Sequence, residues 1–320
     1  MGVTFNFGEF AASRTICGDT LQEMGTRNEK IYVMTADLMR TCSVKGCKAS
    51  FPKRFINVGI AEQNMFGMAA GLALEGNIPY ITTMATFASM RACEQLRTDI
   101  CYQNLPVRIV ATNAGLTSTG GATHNAMEDM GVLRSMANLT IIVPGDPNIA
   151  KDILLATENH PGPVYIRLAR GKGEPIVYQP GEVDYQVGKA IETRQGKDAV
   201  IIACGVMVSQ AVDAANILEK EGMSVAVLDM HTIKPIDEEA VKKAARDTGV
   251  ILTLEDHYTI GGLGSAVAEV IADGNLDCKF KRMGIPQLFP GFGDGPELYD
   301  KYGFGLDGTV DTLRDMIRNS

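Results

Sequence analysis

The chain has no basic run, few histidines, no C-x-x-C pair and no long apolar stretch, and each absence removes a class of function. Lys and Arg total 30 against 38 Asp and Glu, a net charge of −8. That balance excludes a nucleic-acid groove or a polybasic membrane patch while leaving room for a local anion site. The most apolar uninterrupted run, Ala199 to Val208, is far too short to span a bilayer. The chain opens without the charged and apolar regions of a secretory leader, so the sequence reads as cytoplasmic and unprocessed. Histidine occurs at only four positions, which leaves little with which to build a multi-histidine iron or zinc site. Seven cysteines at irregular spacing argue for reduced, mostly buried thiols rather than a disulfide framework.

What is present is an ordinary globular composition, 45% hydrophobic and 21% charged, over 320 residues, enough for two domains with real cores. Short β-branched runs alternate with helical spacing. Strands are expected at Ile31–Thr35, Phe55–Val58, Pro79–Thr83, Val107–Ala111, Thr140–Val143 and Val164–Leu168. Helices are expected over Ala61–Leu74, Met90–Tyr102 and Asn148–Thr157. A Pro- and Gly-rich stretch from Gly171 to Gly181 interrupts the pattern. Beyond it strands at Ala199–Cys204, Ser224–Asp229 and Val250–Glu255 alternate with helices at Ser209–Glu221, Asp237–Asp247 and Ser265–Ala272. The reading is two α/β domains, 1–175 and 186–320, joined by a linker at 176–185. Each is a mostly parallel sheet with helices on both faces, and ligands belong at the carboxyl ends of such strands.

One segment stands at such a strand end. In Asn57-Val-Gly-Ile-Ala-Glu62-Gln63-Asn64-Met65 a short strand runs out, Gly59 permits a turn, and a helix opens with Glu62 in its first turn. A carboxylate there is favoured by the helix dipole, although Glu and Gln in a first turn are also ordinary caps. Two glycine motifs read as structural. Gly261-Gly-Leu-Gly-Ser-Ala266 opens a helix but lacks the dinucleotide spacing, which favours a tight turn over an anion site. Gly293-Asp294-Gly295 imitates a magnesium-diphosphate motif but reads as a Pro-containing turn into a short helix near the end of the chain.

The segment Gly59–Met65 closely resembles the one that carries the catalytic glutamate in the transketolase superfamily. The resemblance continues at Thr35-Ala-Asp37-Leu38, Met84-Ala-Thr-Phe87, Arg91–Arg97, Ala122–Asp129, Val143-Pro-Gly-Asp146 and Asp229–Pro235, in the family's order and along nearly the whole chain. It implies a pyrimidine-binding domain followed by the family's C-terminal domain, and chemistry carried by thiamine diphosphate. Glu62 would match the glutamate that hydrogen-bonds the pyrimidine, Phe87 the aromatic it stacks on, with Met90 beside it, and Asp37 the acid near the thiazolium. His124 resembles the histidine of the substrate channel, and Arg14 and Arg170 the arginines that hold a sugar phosphate, a task suited to a guanidinium fork. Each has a plainer alternative: core packing for Phe87, a turn for Asp37, a structural hydrogen bond for His124, surface ion pairs for the arginines.

Two departures bear on substrate. Gly120 stands where ordinary transketolases carry an aspartate four residues before the histidine, and Asn113 where they carry a histidine. The resemblance implies a C-terminal subunit of a split transketolase. Such a subunit moves a two-carbon ketol unit from a ketose phosphate to an aldose through an adduct on the cofactor. An N-terminal subunit would bring the diphosphate ligands and Mg2+ or Ca2+, and two of each chain would form a symmetric heterotetramer. The alternatives are a 1-deoxyxylulose-phosphate-synthase-like protein, a 2-oxo acid dehydrogenase beta subunit, or a non-catalytic regulatory subunit.

Overall fold

The structure is a computed structural model that describes residues 10–117, 120–170 and 173–319. Its strands are β1 (Phe10–Ala11), β2 (Ile31–Thr35), β3 (Phe55–Asn57), β4 (Ile78–Met84), β5 (Arg108–Thr112), β6 (Thr140–Ile142), β7 (Val164–Arg167), β8 (Glu174–Pro175), β9 (Ile191–Arg194), β10 (Ala199–Ala203), β11 (Val225–Asp229), β12 (Thr232–Lys234), β13 (Val250–Tyr258) and β14 (Lys279–Ile285). They form a seven-stranded sheet in the order β12-β6-β7-β5-β4-β2-β3 and a five-stranded sheet in the order β14-β13-β10-β11-β9. Every pairing in the two is parallel except those of the edge strands β9 and β12. The expected fold class, two mostly parallel α/β sheets, is what the chain adopts.

The strands are apolar on both faces because both faces are covered. Side chains alternate along a strand, so Val33 and Tyr80 enter one apolar cluster while Met34 and Ile81 enter the other. The first cluster takes Cys17, Leu21 and Met24 from helix α1 (Ser13–Arg27), the second Met65, Phe66 and Ala69 from helix α3 (Glu62–Leu74), which follows the short α2 (Lys45–Ser50). Both clusters continue through the second sheet, with Ile201 in one and Val200 and Ile202 in the other. The helix over Pro147–Thr157 starts where its sequence says it should. Asp146 accepts a hydrogen bond from the Ile149 N–H at 2.8 Å, and Pro147 fills the first helical position.

The structure differs from the sequence reading in three places. Residues 232–234, within a motif expected in the second domain, leave it and add the antiparallel edge strand β12 to the first sheet, with the Val143 N–H donating to the His231 carbonyl at 2.7 Å. Within the Pro/Gly-rich stretch, Val177 and Tyr178 are pinned to the first and second domains. Asp146 accepts from the backbone of Val177 and Tyr178, and the Tyr178 hydroxyl donates to Asp229 at 2.9 Å. The helix expected over Met90–Tyr102 is irregular: wide π-type turns at Phe87–Arg91 and Leu96–Cys101 flank a single α-turn at Cys93–Gln95. No helix among the described residues is long and apolar enough to cross a membrane. All seven cysteines are free and five are buried.

Candidate active site

The carboxyl ends of β2, β3 and β4 lie side by side, with Thr35 in register with both Asn57 and Thr82. The Asn57 amide oxygen accepts from the backbone N–H of Asp37 at 3.0 Å and of Gly59 at 3.1 Å, tying two strand ends together just before α3 begins. Glu62 then falls in the first turn of α3, only 1% exposed. Its carboxylate accepts from Arg91 Nη1 at 2.7 Å and from Thr83 Oγ1 at 3.4 Å. Phe87 follows β4 closely, on the wide π-turn, a feature frequent at functional sites. The Arg91 guanidinium lies 4.2 Å from the centre of the Phe87 ring, and His124 meets that ring edge-on at 5.8 Å. Met90 sits on the same turn and is half exposed.

The structure therefore gathers Glu62, Phe87 and His124, with Met90 on the Phe87 turn, at one sheet edge. Asp37 is at that edge but exposed; its backbone is held, and its carboxylate makes no hydrogen bond or ion pair among the described residues. Asp37 and Asn113, each just past the end of a central strand, both adopt the left-handed backbone region, at φ 59° and 65°. That conformation is uncommon outside glycine but is accessible to Asp and Asn. Asn113 is fully buried. Arg14 and Arg170 line a separate cleft of about 620 Å3 between the two halves, with Thr117, Glu174 and Asp294. The Arg14 guanidinium donates to the Thr41 carbonyl at 3.2 Å, and the Arg170 N–H to Thr117 Oγ1 at 3.0 Å. Thr117 and His124 belong to the same loop, which thus spans the cleft and the Glu62 group.

Sequence reasoning missed what lies beneath this loop. Asp129, fully buried, accepts from Arg167 Nε at 2.9 Å and from the Tyr165 hydroxyl at 2.8 Å. Burial alone would raise its pKa, but the Arg167 charge and the hydrogen bonds from Arg167 and Tyr165 outweigh that and hold it below the usual carboxylate range. Burial lowers the His257 pKa to about 4, leaving a neutral ring whose Nδ1 pairs with the Tyr258 carbonyl and whose Nε2 accepts from the Gly131 N–H at 3.2 Å. Arg91 was also given no role, although its place four residues after Phe87 put it one helical turn away.

The Gly261–Ala266 motif is structural. Glu255 accepts from the N–H groups of Leu263 and Gly264 at 2.7 and 2.8 Å, so the helix start that could have held an anion already holds a carboxylate. A Cβ on Gly262 would stand 2.0 Å from that carboxylate, which explains the glycine. Asp294 immediately precedes the helix Gly295–Lys301. Among the described residues no group of three or more His, Cys, Asp or Glu is gathered as a metal site.

The Glu62 group suits a basic heteroaromatic ring. A buried anionic acceptor stands beside a flat aromatic face and a half-exposed thioether, which complements a ring that is apolar on its faces and polar at its edge. The model of the transketolase pyrimidine-binding domain matches residues 10–175, and that of the transketolase C-terminal domain matches residues 188–308. This chain belongs to the transketolase family, whose pyrimidine-binding domain serves thiamine diphosphate. It is 39% identical to the 6-deoxy-6-sulfo-D-fructose transketolase subunit of Clostridium sp. strain MSTE9, covering 94% of this chain and 90% of that one. It is 35% identical to the 1-deoxy-D-xylulose-5-phosphate synthase of Syntrophotalea carbinolica over 95% of this chain but 48% of that one. A solved split-gene transketolase, in an inactive beta4 tetramer, superposes with a TM-score of 0.87 at 40% identity, over 97% of this chain and 99% of that one.

Proposed function

We propose that this chain is the C-terminal subunit of a two-chain transketolase and moves a two-carbon ketol unit from a ketose phosphate to an aldose. The observation that carries the reading is the meeting of a buried Glu62 carboxylate, the Phe87 ring and His124 at one sheet edge. The solved relative of matching length is a split-gene protein, inactive as a beta4 tetramer, which supports a missing partner here. In this reading the domains divide at 1–175 and 186–320. An N-terminal subunit supplies the metal and the diphosphate ligands, and two of each chain assemble around a two-fold axis. The proposed compartment is the cytoplasm.

Thiamine diphosphate, when bound, supplies a carbon nucleophile. Glu62 holds or shares a proton at the edge of its pyrimidine, as a buried carboxylate with a directed acceptor can. Phe87 offers the stacking face and Met90 borders it, while Asp37 stands at the neighbouring strand end. His124 and Asn113 are the residues proposed for the sugar chain, and Arg14 and Arg170 hold its phosphate in the cleft they share.

Mixing the chain with its N-terminal partner, thiamine diphosphate and Mg2+ should give ketol transfer that neither chain gives alone. Turnover by this chain without a partner would overturn the two-chain reading. Pyruvate consumption in place of ketose phosphate would assign it to a synthase or 2-oxo acid dehydrogenase instead.

A further inference from the structure

The loop that joins β5 to the short helix Asp129–Leu133 carries Thr117 at one end and His124 near the other, and its neck is closed from the other domain. Within the loop the Gly115 N–H donates to the Ala126 carbonyl at 2.7 Å, which brings the two ends together. The end of β13 seals that neck with three successive residues. The Asp256 carboxylate accepts from the Leu116 N–H at 3.0 and 3.1 Å on its two oxygens. Gly131, just after the loop, donates to His257 Nε2, and the Tyr258 N–H donates to the Met127 carbonyl at 2.8 Å. Arg167 adds a strap, since its Nη2 donates to both the Ala126 and the Asp256 carbonyls.

Asp256 is the part of this clamp that cannot be replaced by backbone. It is almost completely buried, and the Tyr299 hydroxyl donates to its Oδ2 at 2.9 Å, so the carboxylate is fixed from its own domain as well. Gly115 sits at φ 65°, and a Cβ there would fall 1.9 Å from the same oxygen. The loop backbone is thus moulded against the carboxylate at the distance only glycine allows. Ends closed by buried hydrogen bonds hold the described residues that flank them, Leu116–Thr117 and Asn125–Met127, in place.

From this we infer that Asp256, a residue of the C-terminal domain, is a positioning residue for the substrate loop: it sets where Thr117 and His124 stand relative to the Glu62 group. The inference rests on the proposed transketolase reading for its kinetic consequence, and on geometry alone for the clamp. It gives the C-terminal domain a part in substrate handling without contact to substrate.

The test compares Asp256→Ala, Asp256→Asn and Val267→Ala. Val267 is a fully buried core residue of the same domain, far in sequence from the loop, and serves as a matched destabilisation. In the full chain, hydrogen exchange at the amides of Leu116, Asn125 and Met127 should quicken in Asp256→Ala by about tenfold or more while the amides of α3 keep their protection. In the two-chain enzyme Asp256→Ala should raise the KM for the sugar phosphate about tenfold, leave thiamine diphosphate affinity unchanged, and be partly rescued by Asp256→Asn, which keeps one acceptor. Loop amides that exchange as in the wild type would overturn the inference. So would a KM rise in Val267→Ala equal to that in Asp256→Ala at a matched loss of melting temperature. An inactive wild-type pair would count against the transketolase reading alone, and the exchange comparison would still decide the clamp.

Discussion

Arg91 holds Glu62: its Nη1 stands 2.7 Å from a carboxylate that is itself almost wholly buried, while the guanidinium lies over one face of Phe87. The two side chains proposed to meet the cofactor's pyrimidine are therefore satisfied and ordered by a third. Glu62→Gln keeps the shape and an acceptor for Thr83 but loses the charge; Glu62→Ala loses both. In the reconstituted two-chain enzyme kcat should fall by about two to four orders of magnitude in either variant. Assembly, followed by light scattering, should be unchanged. Activity within a few-fold of wild type would remove Glu62 from the chemistry.

Arg91→Ala should cost stability out of proportion to an ordinary surface pair. The guanidinium is partly exposed, so its direct attraction to Glu62 is screened and worth little. The cost lies in a buried carboxylate left without its strongest donor, about 1–3 kcal/mol. A double variant, Glu62→Ala with Arg91→Ala, should be no less stable than Arg91→Ala alone, because no buried charge is then stranded. Urea denaturation of the four proteins measures this, and additive losses would show that the pair is not coupled.

How much of this was legible before the structure depends on the kind of interaction. Strands such as Ile31–Thr35 were readable because burial on both faces makes them continuous apolar runs. Glu62 was readable because a carboxylate at a helix start after a strand end is a local pattern. Helix α1 was not, since glycines and polar residues dilute its period and tertiary packing rather than its own pattern stabilises it. The Asp129–Arg167 pair, separated by 38 residues, and the Asp256 contact with Leu116, separated by 140, have no local signal at all. Asp229–Pro235 resembled a known motif, but that β12 crosses to the first sheet is a property of the fold.

Glu174 links the fold to pH. It lies in β8, paired with β1 beside the Arg14 cleft, and takes a hydrogen bond from Ser13. Burial raises its pKa from 4.5 to about 7, against the hydrogen bonds from Ser13, which lower it. A raised folded-state value means the native chain binds a proton that the unfolded chain releases. Its contribution is complete below about pH 4.5 and is lost as the pH rises through about 7. At about 1.4 kcal/mol per unit, the whole effect is of the order of 3 kcal/mol. Glu174→Gln should flatten the stability profile between these limits, measured by denaturant titration at pH 5 and pH 8. An unchanged slope would show that Glu174 is ionised throughout.

The buried thiols make a simpler prediction. Cys17, Cys42, Cys47, Cys101 and Cys204 are enclosed, and burial pushes the pKa of each upward, which suppresses the reactive thiolate. Cys93 and Cys278 are partly exposed. A thiol reagent applied to the native chain should label only these two, with all seven reacting after unfolding. Rapid native labelling at a third site would show that the core opens locally.

Gly120 offers the most direct route to the substrate. The family's aspartate would read a hydroxyl of the donor sugar, and a site without that carboxylate discriminates less strongly for that hydroxyl. Gly120 is exposed, so an aspartate there does not have to enter a packed core. In the two-chain enzyme Gly120→Asp should therefore sharpen the preference for a hydroxylated donor over its deoxy analogue by about tenfold in kcat/KM. Combining it with Asn113→His, at the buried position where the family carries histidine, should move the preference further towards ordinary ketose phosphates. If the ratio of kcat/KM values stays where it was, the loop does not read that hydroxyl, and the specificity of this chain lies in the Arg14 and Arg170 cleft instead.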